Sequence, residues 1–488
     1  MSINCSGFVT IPQVFLAEQF GKQVATAYNA ECQEIGRWYE IYRHGAAAAA
    51  EGTNGDYTAA DLRYKLAGSL VKKEARFLFS QNPDIVAELD AEEVTESKKQ
   101  NIAFLNKILT AVYEQNGFAA ALLRGAVDCF VGKRIAITAN FSEQAGVSIT
   151  FLPSTNFLYE TEQYDGRTLK KFVCFMRRRD IDTAGGQKFN FFCKVFEKEG
   201  DAVYFEELLC DAAGNVIEQI NARQKTLLSE IPAVVIVNAG LTSEVGGVSE
   251  IEDLRPFEEW FTKLANADID AERKSMNPIK YVVDMSQNCT KGLSTAAGAF
   301  WDLGSDQNLE KASPQVGMIE PAMNYSQTLK TTLERIQTAG YNAIDMPNTA
   351  LENLQGVITS GKALKAIYWP LVVRCREKMQ SWAPALRDLS KIIIEGSTKY
   401  SFCIERYLGQ GVFVYNGDYK ISVVENLPLP EDEAEEKALD LSEVQAEVMS
   451  RKSYMKKWRL LSDEEADREI EQIAKERAII ENASFEMS

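Results

Sequence analysis

Histidine is almost absent from this 488-residue chain, and His44 stands alone. A Ser-His-Asp triad would have to use it, yet it sits in RHGAAAAAEG, beside a Gly/Ala stretch with no nucleophile motif nearby. No catalytic residue is expected. The nine cysteines include no CxxC pair, the closest two being Cys193 and Cys210. That argues against a zinc site or a disulfide framework. Buried, reduced thiols are expected instead, with no metal and no cofactor. No apolar run approaches the roughly 20 residues that cross a bilayer. The start, MSINCSGFVTIPQVF, lacks the basic flank and small-residue cleavage site of a secretory signal. The chain is expected to stay in the cytoplasm where it is made.

Basic charge is also short, with 53 Lys and Arg against 70 Asp and Glu, a net charge of −17. A protein that grips DNA by neutralising phosphates should be basic on at least one face. An acidic surface repels nucleic acid and keeps a large assembly soluble. It also suits a protein that lets DNA pass without holding it. The hydrophobic and charged fractions, 45% and 25%, are those of an ordinary globular protein. The length calls for more than one compact unit.

What is present divides into three stretches. Helical spacing runs from Ile11 to Tyr42, from Ala59 to Phe79, from Glu92 to Asn116 and from Phe118 to Val127. From about 128 to 236, CFVGKRIAITANF, GVSITFLPS, LKKFVCFMRR, KFNFFCKVFEK and DAVYFEELLCD read as antiparallel sheet, several of them separated by glycine turns. IPAVVIVNAGL is the last strand-like piece. A helix follows from Glu250 to Met276, capped by Ser249 and started by Glu250, Glu252 and Asp253. Pro256 marks either a kink or the true first turn, and the acidic pair Glu258-Glu259 reads as solvated charge. An insertion with strand-like ends comes next, then a helix from Tyr325 to Ala343 and a polar loop from Ile344 to Ile358. A long helix, kinked or broken at Pro370 and Pro384, leads to the strand-like SFCIERYL, GVFVYNGDY and ISVVENL. The chain ends as charged helix.

GVITSGKA, Gly356 to Ala363, has the glycine spacing and lysine of a phosphate loop. Ala363, however, stands where a hydroxyl must bind magnesium, and a polar loop replaces the buried strand. Nucleotide binding there is not expected, and the chain does not read as an enzyme.

The order helix, small insertion, helix, loop, helix resembles the portal proteins of tailed bacteriophages, the siphophage-type family. Three segments carry the resemblance: IPAVVIVNAG with SEIEDLRPFEEWFTKLANADID, TSGKALKAIYWPLVVRCREKM, and MSRKSYMKKWRLLSDEEADREIEQIAKE. SLVKKEARFLFSQNPDI is a weaker fourth. The resemblance implies an α+β fold with a mixed helix/sheet wing, a two-helix stem, a small α/β clip and a helical crown, assembled as a ring of about twelve copies. By position, 1–247 and 398–430 would be wing, the latter as strands. Residues 248–276 and 327–343 would be stem, 277–326 clip, 344–360 tunnel loop, 361–397 the long helix and 431–488 crown.

It further implies a head-tail connector at one capsid vertex, through which double-stranded DNA is packaged and ejected without sequence preference. Its partners would be terminase, a head-completion or tail adaptor, and the major capsid and scaffold proteins, with no membrane. Assembly would occur in the host cytoplasm and residence would be in the virion. Asn348, Asn353, Gln355 and Thr359 would face DNA from the tunnel loop, unless that loop is simply a mobile surface loop. Lys263, Lys330 and Arg335 are either weak cation rings lining the stem channel or surface cations on exposed helix faces. Phe300, Trp301 and Lys291 would be clip residues that contact the adaptor; the two aromatic rings, hard to bury in so small a segment, either pack on a neighbouring copy or are half exposed. The alternative is a capsid or baseplate ring-former without a DNA channel.

Overall fold

The computed structural model describes residues 9–47, 59–90, 95–163, 165–181, 187–238, 240–276, 279–283, 315–319, 324–348, 361–409, 419–428, 433–459 and 461–486. The chain forms two compact units, one of residues 1–346 and 371–427, the other of 347–370 and 428–488.

In the first unit the chain opens with helices α1 (Gln13–Phe20) and α2 (Lys22–His44), then α3 (Leu66–Phe79) and strand β1 (Asp84–Leu89). Helices α4 (Glu96–Gln115) and α5 (Phe118–Gly132) precede the sheets. Strands β2 (Arg134–Ser142), β3 (Gly146–Pro153) and β9 (Ala233–Val237) form a three-stranded antiparallel sheet in the order β3-β2-β9. Between them lies the meander of β4 (Phe157–Glu162), β5 (Asp165–Ile181), β6 (Gln187–Glu199), β7 (Ala202–Cys210) and β8 (Val216–Lys225), a five-stranded antiparallel sheet in sequence order.

Period-two alternation explains how that meander is buried. On β5, Val173 and Phe175 point into one cluster with Phe191, Cys193, Phe15, Leu16 and Tyr28, so α1 and α2 cover this face. Phe172 and Cys174 point into the other, with Phe157 and Phe196 of the same sheet and Ala136, Leu152 and Ala233 of the neighbouring one. The seven described cysteines are all buried and free.

The boundaries differ from the sequence reading where packing intervenes. CFVG was read as strand, but Cys129, Phe130 and Val131 are the fully buried last turn of α5. SFCIERYL was also read as strand and is a helix: Cys403 and Tyr407, four apart, are buried on one face while Glu405 and Arg406 are exposed. β1 was missed altogether. It pairs with β12 (Tyr419–Val424), from Asp84 opposite Val424 to Leu89 opposite Tyr419, a partner far away in the chain. GVFVYNGDY lies, apart from Tyr419, outside the described residues.

Helix α6 (Glu250–Met276) runs through Pro256, which lies inside it. Ser249 is its cap, with its Oγ accepting from Ile251 N–H at 3.2 Å. The strand-like ends of the insertion, β10 (Ile279–Val283) and β11 (Gln315–Ile319), pair antiparallel. After α7 (Ser326–Ala343) comes α8 (Gly361–Lys399), 39 residues in one helix, unbroken at Pro370 or Pro384. An internal proline costs about 3 kcal/mol. Burial of Leu371, Val372, Cys375, Trp382, Leu386, Leu389 and Ile393 along this helix offsets that loss. The short helix Ser401–Leu408 is α9.

The second unit includes the first turns of α8, then α10 (Glu433–Gln445), α11 (Arg451–Arg459) and α12 (Asp463–Glu486). Here charge organises the helices. Basic α11 is paired to its acidic neighbours through Lys457–Asp440 at 2.8 Å, Lys452–Asp467 at 2.8 Å and Arg459–Glu469 at 3.4 Å. Ser462 and Glu465 form a reciprocal capping box at the start of α12.

In the first unit α2 and α3 approach so closely that a Cβ on Gly68 would stand 2.3 Å from the Tyr42 carbonyl oxygen. Gly68→Ala should therefore cost about 1–3 kcal/mol by forcing the helices apart. Chemical denaturation measures this; an unchanged midpoint would show that the close contact is dispensable.

Candidate channel helices and their buried anchor

α6 and α7 pack antiparallel. Gly340, near the end of α7, faces Phe257, near the start of α6. At the other end, the Tyr325 phenol is raised, by desolvation first and then by the charges of Asp268 and Glu272. Lys263, Lys330 and Arg335 are exposed on this pair. The Lys263 ammonium lies 5.4 Å from the Trp260 ring centre, Lys330 pairs with Glu334 at 3.9 Å, and Arg335 donates to the Thr332 hydroxyl at 3.2 Å. Five residues of helix turn through about 500°, so Lys330 and Arg335 point about 140° apart. A single line of sight down a channel cannot include both head-on.

One face of α6 holds the preceding chain. Glu258, Asn266 and Asp270 recur at multiples of four, hence on one stripe. Asp270 accepts from Ala60 N–H at 2.9 Å. Asn266 exchanges both hydrogen bonds with the Leu62 backbone at 2.8 Å. Glu258 accepts from Ala46 N–H at 3.0 Å and Ala67 N–H at 2.5 Å, the latter in the first turn of α3. This corrects two expectations. Residues 59–65 are not helix, because the stripe claims their backbone groups. Glu258 is not solvated but fully buried, and its carboxyl is raised by burial against the pull of those two N–H groups. Glu259 alone is exposed.

The starts and ends of these helices meet in a buried charge cluster. Arg374 and Lys378 are one turn apart on α8. Arg374 donates to Glu74 of α3 at 2.8 Å and to Glu250 in the first turn of α6, and lies 3.7 Å from Asp345, just past α7. Lys378 reaches Glu250 at 2.5 Å, the Asn238 side-chain oxygen at 2.8 Å and Glu74 at 3.4 Å, with its ammonium 4.1 Å from the Phe130 ring centre. Asn238 in turn donates to Glu250 at 3.0 Å. A second ion pair fixes α2 to β2: Arg134 grips Glu31 with two bonds of 2.9 and 2.7 Å and donates to the Gly246 carbonyl at 3.1 Å.

The two carboxylates of the cluster are not equivalent. Burial would raise Glu250, but the charges of Lys378 and Arg374 outweigh it and bring the carboxyl to about 2. Glu74 is raised, by burial first and then by the charge of Glu250. Its Oε2 has no hydrogen-bond partner among the described residues.

Asn348 is half-buried. Asn353, Gln355, Thr359, Lys291, Phe300 and Trp301 lie outside the described residues, and of GVITSGKA only Gly361–Ala363 is described, as the first turn of α8. Among the described residues no three His, Cys, Asp or Glu side chains are grouped to hold a metal, and no helix is long and apolar enough to cross a membrane. The sequence reading missed the cluster. Its signal was a pair of cations at 374 and 378 on the otherwise apolar face of a long helix.

The asymmetry is testable. Glu250→Gln leaves Lys378 and Arg374 under-compensated and should cost about 3–5 kcal/mol. Glu74→Gln removes a carboxylate that already resists ionisation and should cost about 1–3 kcal/mol. The depressed Glu250 contributes stability above its unfolded value of about 4.3 that is lost as pH falls through about 2. The raised Glu74 has the opposite sign: its ionisation above about pH 4.3 weakens the fold. Thermal unfolding against pH should thus show a shallower acid decline in Glu250→Gln than in the wild type; equal losses for the two variants would refute the assignment.

Residues 265–482 match the model of a family described as phage portal protein, SPP1 Gp6-like. The match begins inside α6 and runs through α7, α8 and into α12, so it includes the whole of TSGKALKAIYWPLVVRCREKM and of the C-terminal segment that suggested the resemblance. No curated protein matches the chain. This match over residues 265–482 supports a portal protein of a tailed phage.

Proposed function

We propose that this protein is the subunit of a ring at one capsid vertex, the conduit through which phage DNA is packaged and ejected. Portal family membership implies self-association, capsid and DNA partners in general, and a place in the virion capsid. The observation that carries the finer reading is the antiparallel α6–α7 pair, anchored at Glu250 and Asp345 to the helix that follows. In this reading the pair is the stem (248–276 and 327–343) and lines the channel. Residues 344–360 face DNA, 277–326 is the clip that docks terminase and then a tail adaptor, and 431–488 is the crown. Residues 1–247 with 398–430 are the wing, which meets its neighbours in a ring assembled in the host cytoplasm.

The charge fits that task. Strong phosphate contacts release counterions and act as brakes on a sliding polyanion. An acidic protein with a few exposed cations on the helix pair offers weak, sequence-independent contacts instead.

Electron microscopy of the purified protein should show rings with a central hole wide enough for duplex DNA. A stable monomer in native mass spectrometry at every concentration and salt would refute the conduit. Because Ile344 and Met346 are buried, the loop is best tested by deleting 349–358, which spares them. That variant should form rings but fail to package or retain DNA. Normal packaging would remove the DNA-facing role from this segment.

A further inference from the structure

α7 ends in a Schellman turn. Met346 N–H reaches the Tyr341 carbonyl at 2.9 Å and Asp345 N–H reaches that of Asn342 at 3.2 Å, the pattern in which the residue after the cap is left-handed. Here that residue is Asp345, at φ +51°. Glycine takes this conformation without a steric penalty, so a side chain here invites a search for its use. The use is electrostatic: the Asp345 carboxylate lies 3.7 Å from the Arg374 guanidinium.

The three carboxylates around Arg374 differ in kind. The Glu74 and Glu250 side chains are 0% and 5% exposed, whereas that of Asp345 is 52% exposed. Two arms are buried in the core and the third is open to solvent. Ile344 and Met346, flanking Asp345, are themselves buried, so the backbone is seated on either side of the ion pair.

We propose that Asp345 and Arg374 form an electrostatic latch that fixes the exit of the chain from α7, a breakable third arm on a permanent hub. The inference rests on the reading of 344–360 as the DNA-facing segment, whose first residues the latch positions against α8. An exposed pair of this kind contributes little to global stability and is screened by salt. It can open without disturbing Glu74, Glu250 or Lys378.

The test is hydrogen exchange of a peptide covering 341–348 in the full-length protein, in wild type, Asp345→Asn and Asp345→Gly. Both replacements tolerate the left-handed turn, so they remove charge and keep geometry. Both should exchange about two- to fivefold faster than wild type at low salt. Raising salt to about 1 M, where the screening length is about 3 Å, should speed exchange in wild type and leave both variants unchanged. Wild-type exchange in the variants, or a salt response that survives in them, would overturn the latch. If the shift is present but the wild type forms no rings, the latch stands and the conduit reading fails.

Discussion

Four charges that could not be buried singly are buried together, and the first unit is assembled around that fact. Glu250 carries much of it. In the first turn of α6 its carboxylate favours the helix N-terminus and at the same time accepts from Arg374, Lys378 and Asn238. These partners come from α8 and from Asn238 just past β9, so the group can be satisfied only when α6, α8 and the end of β9 are all in place. Net stabilisation by such a cluster is small, because desolvation cancels most of the attraction. Its effect is specificity: an α6 displaced by one turn would strand two cations in an apolar interior.

The same logic recurs where helices end. Lys133 and Asp345 are two of the three described non-glycine residues with positive φ, and each closes a helix beside an ion-pair cluster. Lys133 follows α5 and its carbonyl receives Asn238 N–H at 2.7 Å, while Asn238 also holds Glu250 and Lys378. Helix termination and charge burial are therefore linked through one asparagine. This gives the α6–α7 pair a stiff root, while Lys263, Lys330 and Arg335 stay on its exposed faces.

Much of this architecture was legible in advance. α6 starts at Glu250, as read from Ser249 and its acidic first turn, because caps and charges act locally. Strands β5, β6 and β7 were legible as alternating runs between glycine turns, whereas β4 and β8 were not among the runs read. Errors fell where the deciding partner was distant. SFCIERYL has the composition of a strand, but Cys403 and Tyr407 face a core on one side only. β1 becomes a strand because β12 pairs with it. Residues 59–65 carry a helical pattern, yet α6 offers their backbone better partners in Glu258, Asn266 and Asp270.

The candidate site divides along the same line. Sequence by itself determined many of the helices, the acidic balance, and the order of helix, insertion, helix and loop that resembles a portal. Periodicity, capping and charge are properties of a few consecutive residues, and so they can be read without a fold. Only the tertiary structure decided which charges are buried. Glu258 left the solvated pair it was read in, Glu74 and Glu250 took different affinities for a proton, and Arg374 became a hub. Burial and pairing are sums over neighbours that can lie 300 residues apart, and no local pattern carries that sum.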